Sequence, residues 1–138
     1  MQPGEDHVHV STTVTLHADP RASGQARRLV RDLCSAARLD GDTSDTAALL
    51  TSELVTNAVL HGRSEVEMTV SIPGTRLRVS VADENSRGPQ PQIEDAEALD
   101  GRGLQILSLL AAAWGVEPRP LGKAVWFELD VTGAQSGL

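Results

Sequence analysis

The chain has 138 residues, 40% of them hydrophobic and 22% charged, with a net charge of −7; this suits a folded domain with its own core rather than a disordered chain. A single cysteine, Cys34, excludes an internal disulfide framework, and the acidic excess works against phosphate-backbone binding, so no direct nucleic-acid partner is expected. No apolar run approaches the ~18 residues of a membrane helix, and Met1–Asp6 are polar and acidic, so a cytoplasmic protein with no membrane contact is expected.

Residues 8–16 alternate apolar and polar with many β-branched side chains and read as a strand. Pro20 sits where a helix can begin. The stripe Ala26, Leu29, Val30, Leu33, Ala37 predicts that helix over 21–39. Asp40-Gly41-Asp42 breaks it, and Asp42 or Thr43 is expected to cap the next helix. That second stripe runs through Ala47, Leu50, Leu54 and Ala58, with a stop expected near Gly62. Residues 65–72 and 77–81 alternate around Pro73-Gly74 and predict a hairpin with one buried face. Residues 84–100 have no period and hold Gly88, Pro89 and Pro91; a connection this long often serves as a lid. A helix is expected from Leu104 to about Ala113, then strands at 114–118 and 122–131 around a Pro118–Gly122 turn. The order is strand, two helices, two strands, loop, helix, two strands. It predicts an α+β fold, a two-layer sandwich with one mixed, mostly antiparallel sheet and helices on one face. A single domain over 1–138 is expected, with its core at about 8–131 and fraying ends.

Three segments hold residues suited to chemistry. In Ser52–Gly62, Glu53 and Asn57 are spaced i, i+4 and share a helix face. They border the stripe expected to face the sheet, where a carboxylate and an amide cost free energy unless something bonds them. An amphipathic helix with a polar edge explains the same pattern. In Val79–Asn85, Asp83 ends an apolar strand; its carboxylate can accept from a ligand amino group, or simply start a turn. Gly101-Arg102-Gly103-Leu104 opens a helix, and glycines there let backbone N–H groups approach a phosphate closely. The dinucleotide-binding Gly-x-Gly-x-x-Gly pattern fails at Ile106, and no Walker sequence or protein-kinase signature set is present.

Taken in order, and closed by Gly122-Lys123-Ala124-Val125-Trp126-Phe127, these segments resemble the GHKL superfamily. That superfamily groups the ATP-binding domains of DNA gyrase, heat-shock chaperones, histidine kinases and mismatch-repair proteins. The likeness is strongest to the anti-sigma-factor serine/threonine kinases and the related stand-alone proteins of actinobacteria. Glu53-Leu54-Val55-Thr56-Asn57-Ala58 resembles the family's asparagine box, Asp83 the start of its first glycine box, and Gly101-Arg102-Gly103-Leu104 its second. The likeness covers about 8–131 and implies a Bergerat ATP-binding fold. It also implies roles. Asn57 would hold Mg²⁺ against the ATP phosphates. Asp83 would accept from the adenine amino group. The Gly101–Leu104 turn would cradle phosphates. Glu53 would be the general base toward a partner's serine or threonine hydroxyl. The implied partners are an anti-anti-sigma factor, a sigma factor, or both, and the family often forms homodimers.

The sequence departs from that pattern at one place. The first glycine box usually continues Asp-x-Gly, and here it is Asp83-Glu84-Asn85. Asn85 tolerates positive φ better than most residues, so it remains a candidate for the adenine side of the site. The departure also motivates a different reading, a non-catalytic regulatory module that binds nucleotide weakly or not at all. Arg102 and Lys123, the only lysine, are candidate phosphate contacts or solvated cations. His61 reads as a helix-terminal histidine interacting with the dipole. His7 and His9 share a strand face but lack a third metal ligand. Cys34 reads as a packed side chain, and Trp114 and Trp126 as core or interface aromatics.

Overall fold

The computed structural model describes residues 9–61, 65–83, 100–120 and 122–131. The elements run β1 (His9–Leu16), α1 (Ala22–Ala36), α2 (Gly41–His61), β2 (Val66–Pro73), β3 (Arg76–Asp83), α3 (Asp100–Leu110), β4 (Ala113–Arg119) and β5 (Gly122–Asp130). They follow the order expected from periodicity. The strands form one sheet in the order β1-β2-β3-β5-β4, and each of its four ladders is antiparallel. No described helix is long and apolar enough to cross a membrane.

The chain turns between α1 and α2 by capping chemistry. Arg38 takes a left-handed φ of 62°. The Leu39 N–H donates to the Cys34 carbonyl and the Arg38 N–H to the Ser35 carbonyl, both at 3.0 Å. This is the Schellman pair of bonds, with arginine in the place glycine usually takes. Asp40, rather than the expected Asp42 or Thr43, caps α2: its Oδ1 accepts the Thr43 N–H at 2.7 Å. That bond, joined by the Thr43 hydroxyl, holds the Asp40 carboxyl below its ordinary range. The expected C-terminal glycine at 62 lies outside the described residues, as does the expected lid over 84–100 except for Asp100, which opens α3. The β2–β3 hairpin turns as expected, with Gly74 at φ 88°, a conformation that suits a residue without Cβ.

The last helix differs from expectation at both ends. It begins at Asp100, not Leu104, and ends at Leu110, not near Ala113. Its glycines therefore lie inside the first turn instead of before it. It stops early because the chain is taken over by the sheet: the Ala112 N–H donates to the Glu128 carbonyl at 2.8 Å, and Ala113 opposes Glu128.

The core lies between the helices and one face of the sheet. Val66, Met68 and Val70 of β2, Leu77 and Val79 of β3, and Phe127 of β5 are all fully buried there. They meet Ala26, Val30 and Cys34 of α1, Leu50, Leu54 and Val55 of α2, and Leu107 of α3. Each large apolar side chain so buried contributes roughly 1.5–3 kcal/mol relative to exposure. The other face is polar and satisfied across strands. Thr13 and Thr69 share a hydroxyl hydrogen bond at 3.0 Å. Arg76 reaches both Glu128 and Asp130, and Arg78 reaches Glu128 while its guanidinium stacks 4.3 Å from the Trp126 ring centroid.

Candidate functional site

The antiparallel β3–β5 ladder sets Asp83 directly opposite Lys123. Both follow the inward alternation of Leu77, Val79 and Val81, which points them at the helical layer. The core stripe of α2 packs Leu54 and Ala58 against that end of the sheet and carries Asn57 beside them. Leu54, Asn57, Ala58, Val81, Asp83, Lys123 and Val125 thereby line one nook. Its volume is about 20 Å³, enough for roughly one water.

The electrostatics centre on Asp83, which is only 6% exposed. The Lys123 ammonium lies 3.3 Å from its Oδ2. Its Oδ1 is buried with no hydrogen-bond partner among the described residues. A buried carboxylate oxygen left unpaired is costly and calls for a donor beyond the described residues, which a water or a ligand amino group can supply. Lys123, a candidate phosphate contact, thus has its ammonium beside Asp83.

Asn57 and Asp83, read separately in the sequence, are thus brought to one nook, and Lys123 with them. Glu53 sits one turn earlier on α2, half-buried, and does not line the nook. Gly101, Arg102, Gly103 and Leu104 belong to the first turn of α3. The unpaired N–H groups of such a turn can bind an anion. Asn85 lies outside the described residues. The apolar wall from Leu54, Val81 and Val125, and the Lys123–Asp83 pairing, were not read from the sequence. The pairing needs the knowledge that β3 and β5 are neighbours although a helix and a strand separate them in the chain.

A larger cavity of about 220 Å³ lies along Thr15, Glu65, Glu67, Ala82, Asp83, Arg119, Pro120 and Gly122. Thr15, Glu67 and Ala82 belong to the open face of the sheet, and neither Asn57 nor Lys123 lines it. It is larger than the nook and shares Asp83 with it, but the nook alone brings Asn57 and Lys123 to that carboxylate.

Among the described residues, no three His, Cys, Asp or Glu side chains gather to hold a metal ion. The donor set nevertheless fits Mg²⁺ carried by a polyphosphate, because that ion takes most of its ligands from phosphate and water and needs only one or two protein oxygens. The Asn57 amide supplies such an oxygen beside the nook. Cys34 plays no part: it is buried in the core and burial pushes its thiol up, with a Ser44 hydrogen bond opposing. His17 lies exposed, 3.8 Å from Glu65. His7 and the side chains of His9 and His61 lie outside the described residues.

Comparison with known proteins agrees with this architecture. Residues 16–129 match the family model of the histidine kinase-like ATPase domain. No curated protein sequence matches the chain. A similar solved structure is that of the RsbU and RsbW domains of Rv1364c from Mycobacterium tuberculosis, at 20% identity and a TM-score of 0.69. The match covers 87% of this chain and 32% of that one, so the chain spans about a third of the length of its structural neighbour.

Proposed function

The chain belongs to the histidine kinase-like ATPase family, and on that premise we propose that it is an ATP- and Mg²⁺-dependent serine/threonine protein kinase of the anti-sigma-factor type. In this reading it phosphorylates an anti-anti-sigma partner, sequesters a sigma factor, or both, and acts in the cytoplasm. The observation that carries the nucleotide part is the buried Oδ1 of Asp83, which has no hydrogen-bond partner among the described residues, in a nook shared with Asn57. The partner class is supported by the motif set Glu53, Asn57, Asp83 and Gly101–Leu104 and its resemblance to those kinases.

Each residue has a task in that reading. Asp83 accepts a hydrogen bond from the adenine 6-amino group through Oδ1, while Lys123 occupies Oδ2 and holds the carboxylate in place. A guanine, with an oxygen at that ring position, would face an acceptor with an acceptor and bind more weakly. The N–H groups of the Gly101–Leu104 turn, with the Arg102 guanidinium, hold the phosphates. Asn57 would hold Mg²⁺, which when bound neutralises phosphate charge. Glu53 takes the proton from the partner's serine or threonine hydroxyl as that oxygen bonds to the γ-phosphorus and ADP leaves. Positioning and charge neutralisation carry most of phosphoryl transfer, so this small set suffices.

Two measurements test the reading. Calorimetric titration with ATP and Mg²⁺ should show binding to the wild type and loss in Asp83→Asn; no binding at millimolar ATP would reject the nucleotide site. Glu53→Ala should bind ATP as the wild type does yet fail to transfer phosphate, and equal transfer would remove Glu53 from the role of base. The Asp83-Glu84-Asn85 segment favours a second reading, a regulator that works by protein contact alone. That regulator would keep its partner affinity unchanged when nucleotide is removed.

A further inference from the structure

At the other end of the helical layer lies an open groove of about 360 Å³, within the size range of ligand clefts. The first turns of α2 give it Asp42, Thr43 and Thr46. The end of α3 and its link to β4 give Leu110, Ala111 and Ala112, and β5 gives Leu129 and Asp130. Around it the chain leaves large apolar side chains in solvent. Leu110 is 44% exposed and its neighbour Leu109 80%. Leu49, one turn beyond Thr46 on α2, is 43% exposed. Only Leu110 of these lines the groove; single exposed leucines are ordinary, but exposed leucines on both helices that border an open groove mark a contact surface.

Charge narrows the occupant. Among the described residues, both charged members of the lining are aspartates and no lysine or arginine lines it. Arg76 is paired to Asp130, whereas Asp42 stands exposed at the rim. The chain as a whole is at −7. An anionic membrane or a nucleic acid would meet repulsion here. We infer that this groove docks an amphipathic helical segment of a partner protein, which sets leucine-type anchors at i, i+3 and i+4 against Leu110 and Ala111. The same segment presents lysine or arginine to Asp42. The surface is separate from the Asp83 nook, and docking there does not depend on phosphate transfer.

The test uses a fluorescein-labelled peptide of about 16 residues, long enough to hold helix on a surface, built from leucine on one face and lysine on the other. A second peptide carries glutamate for lysine. Fluorescence anisotropy should show the lysine peptide binding the wild-type chain and the glutamate peptide not binding. Leu110→Glu and Asp42→Lys should each weaken it by about tenfold or more. Glu67→Lys, the same charge change as Asp42→Lys on the open sheet face, should alter it by about twofold at most. Leu110 and Asp42 are both exposed, and unchanged urea midpoints would verify that the variants fold. Absence of lysine-peptide binding, or equal weakening by Glu67→Lys, would overturn the inference. So would a homodimer in sedimentation that Leu110→Glu dissolves, because the occupant would then be a second copy of this chain.

Discussion

Removing Lys123 tests how the nook is held together. In Lys123→Met the stem is kept and the ammonium lost, so among the described residues Asp83 is left with neither carboxylate oxygen paired. Asp83 has a side chain only 5% exposed and Lys123 one 16% exposed, so water can do little to compensate. At 3.3 Å, and with an effective dielectric near 20, the attraction between the two charges is roughly 5 kcal/mol. Part of it offsets the desolvation of both groups. Breaking one side of a buried pair costs about 3–5 kcal/mol, and the long contact places this pair near about 3 kcal/mol. Asp83→Asn should cost less, about 1 kcal/mol, because the lysine can turn toward solvent. The double variant Asp83→Asn/Lys123→Met should lie within about 1 kcal/mol of the wild type, since no buried charge remains uncompensated. Urea unfolding of the four proteins measures this directly. If Lys123→Met costs less than about 1 kcal/mol, or if the double variant is as unstable as that single one, the pair is not the floor of the nook.

Three further expectations follow from the packing. A Cβ at Gly115 would come within 2.9 Å of the Trp126 ring, so Gly115→Ala should cost about 1–3 kcal/mol and shift the tryptophan emission; an unchanged urea midpoint would refute that close approach. The Thr51 hydroxyl is fully buried with no hydrogen-bond partner among the described residues. Thr51→Val should therefore be neutral or stabilising by up to about 1 kcal/mol, and a clear loss would show that the hydroxyl is bonded in solution. Glu128 is held below its ordinary value of 4.5, chiefly by hydrogen bonding from Arg76 and then Arg78. A depressed carboxyl contributes stability that is full above that ordinary value and is lost as pH falls through the lower folded one. The urea midpoint of the wild type should thus drop below about pH 4.5. Glu128→Gln should drop less steeply; parallel curves would exclude this contribution.

Much of the architecture was legible because period follows environment. Val66, Met68, Val70 and Ile72 alternate since one face of β2 is buried and the other is wet, and the α2 stripe repeats because one side faces the sheet. Ends were less legible. The cap of α2 fell to Asp40 rather than to its neighbours because the Schellman turn at Arg38 decides where the chain re-enters a helix. Two glycines at 101 and 103 suggested a loop before α3, yet the turn is helical there, since helix propensity is a small term that packing overrides.

The sequence by itself determined which side chains were candidates. Asn57 stands on a helix edge beside buried leucines and Asp83 at the end of an apolar strand, and both facts are local. It also carried the motif order on which family membership was first read. Only the tertiary structure decided that these two residues meet, and that Lys123 completes the group by pairing with Asp83 rather than standing free. The reason is strand order: β5 inserts between β3 and β4, so residues 40 positions apart become directly opposed partners. Local periodicity holds no information about that pairing, because alternation specifies which face a side chain takes and not which strand lies beside it.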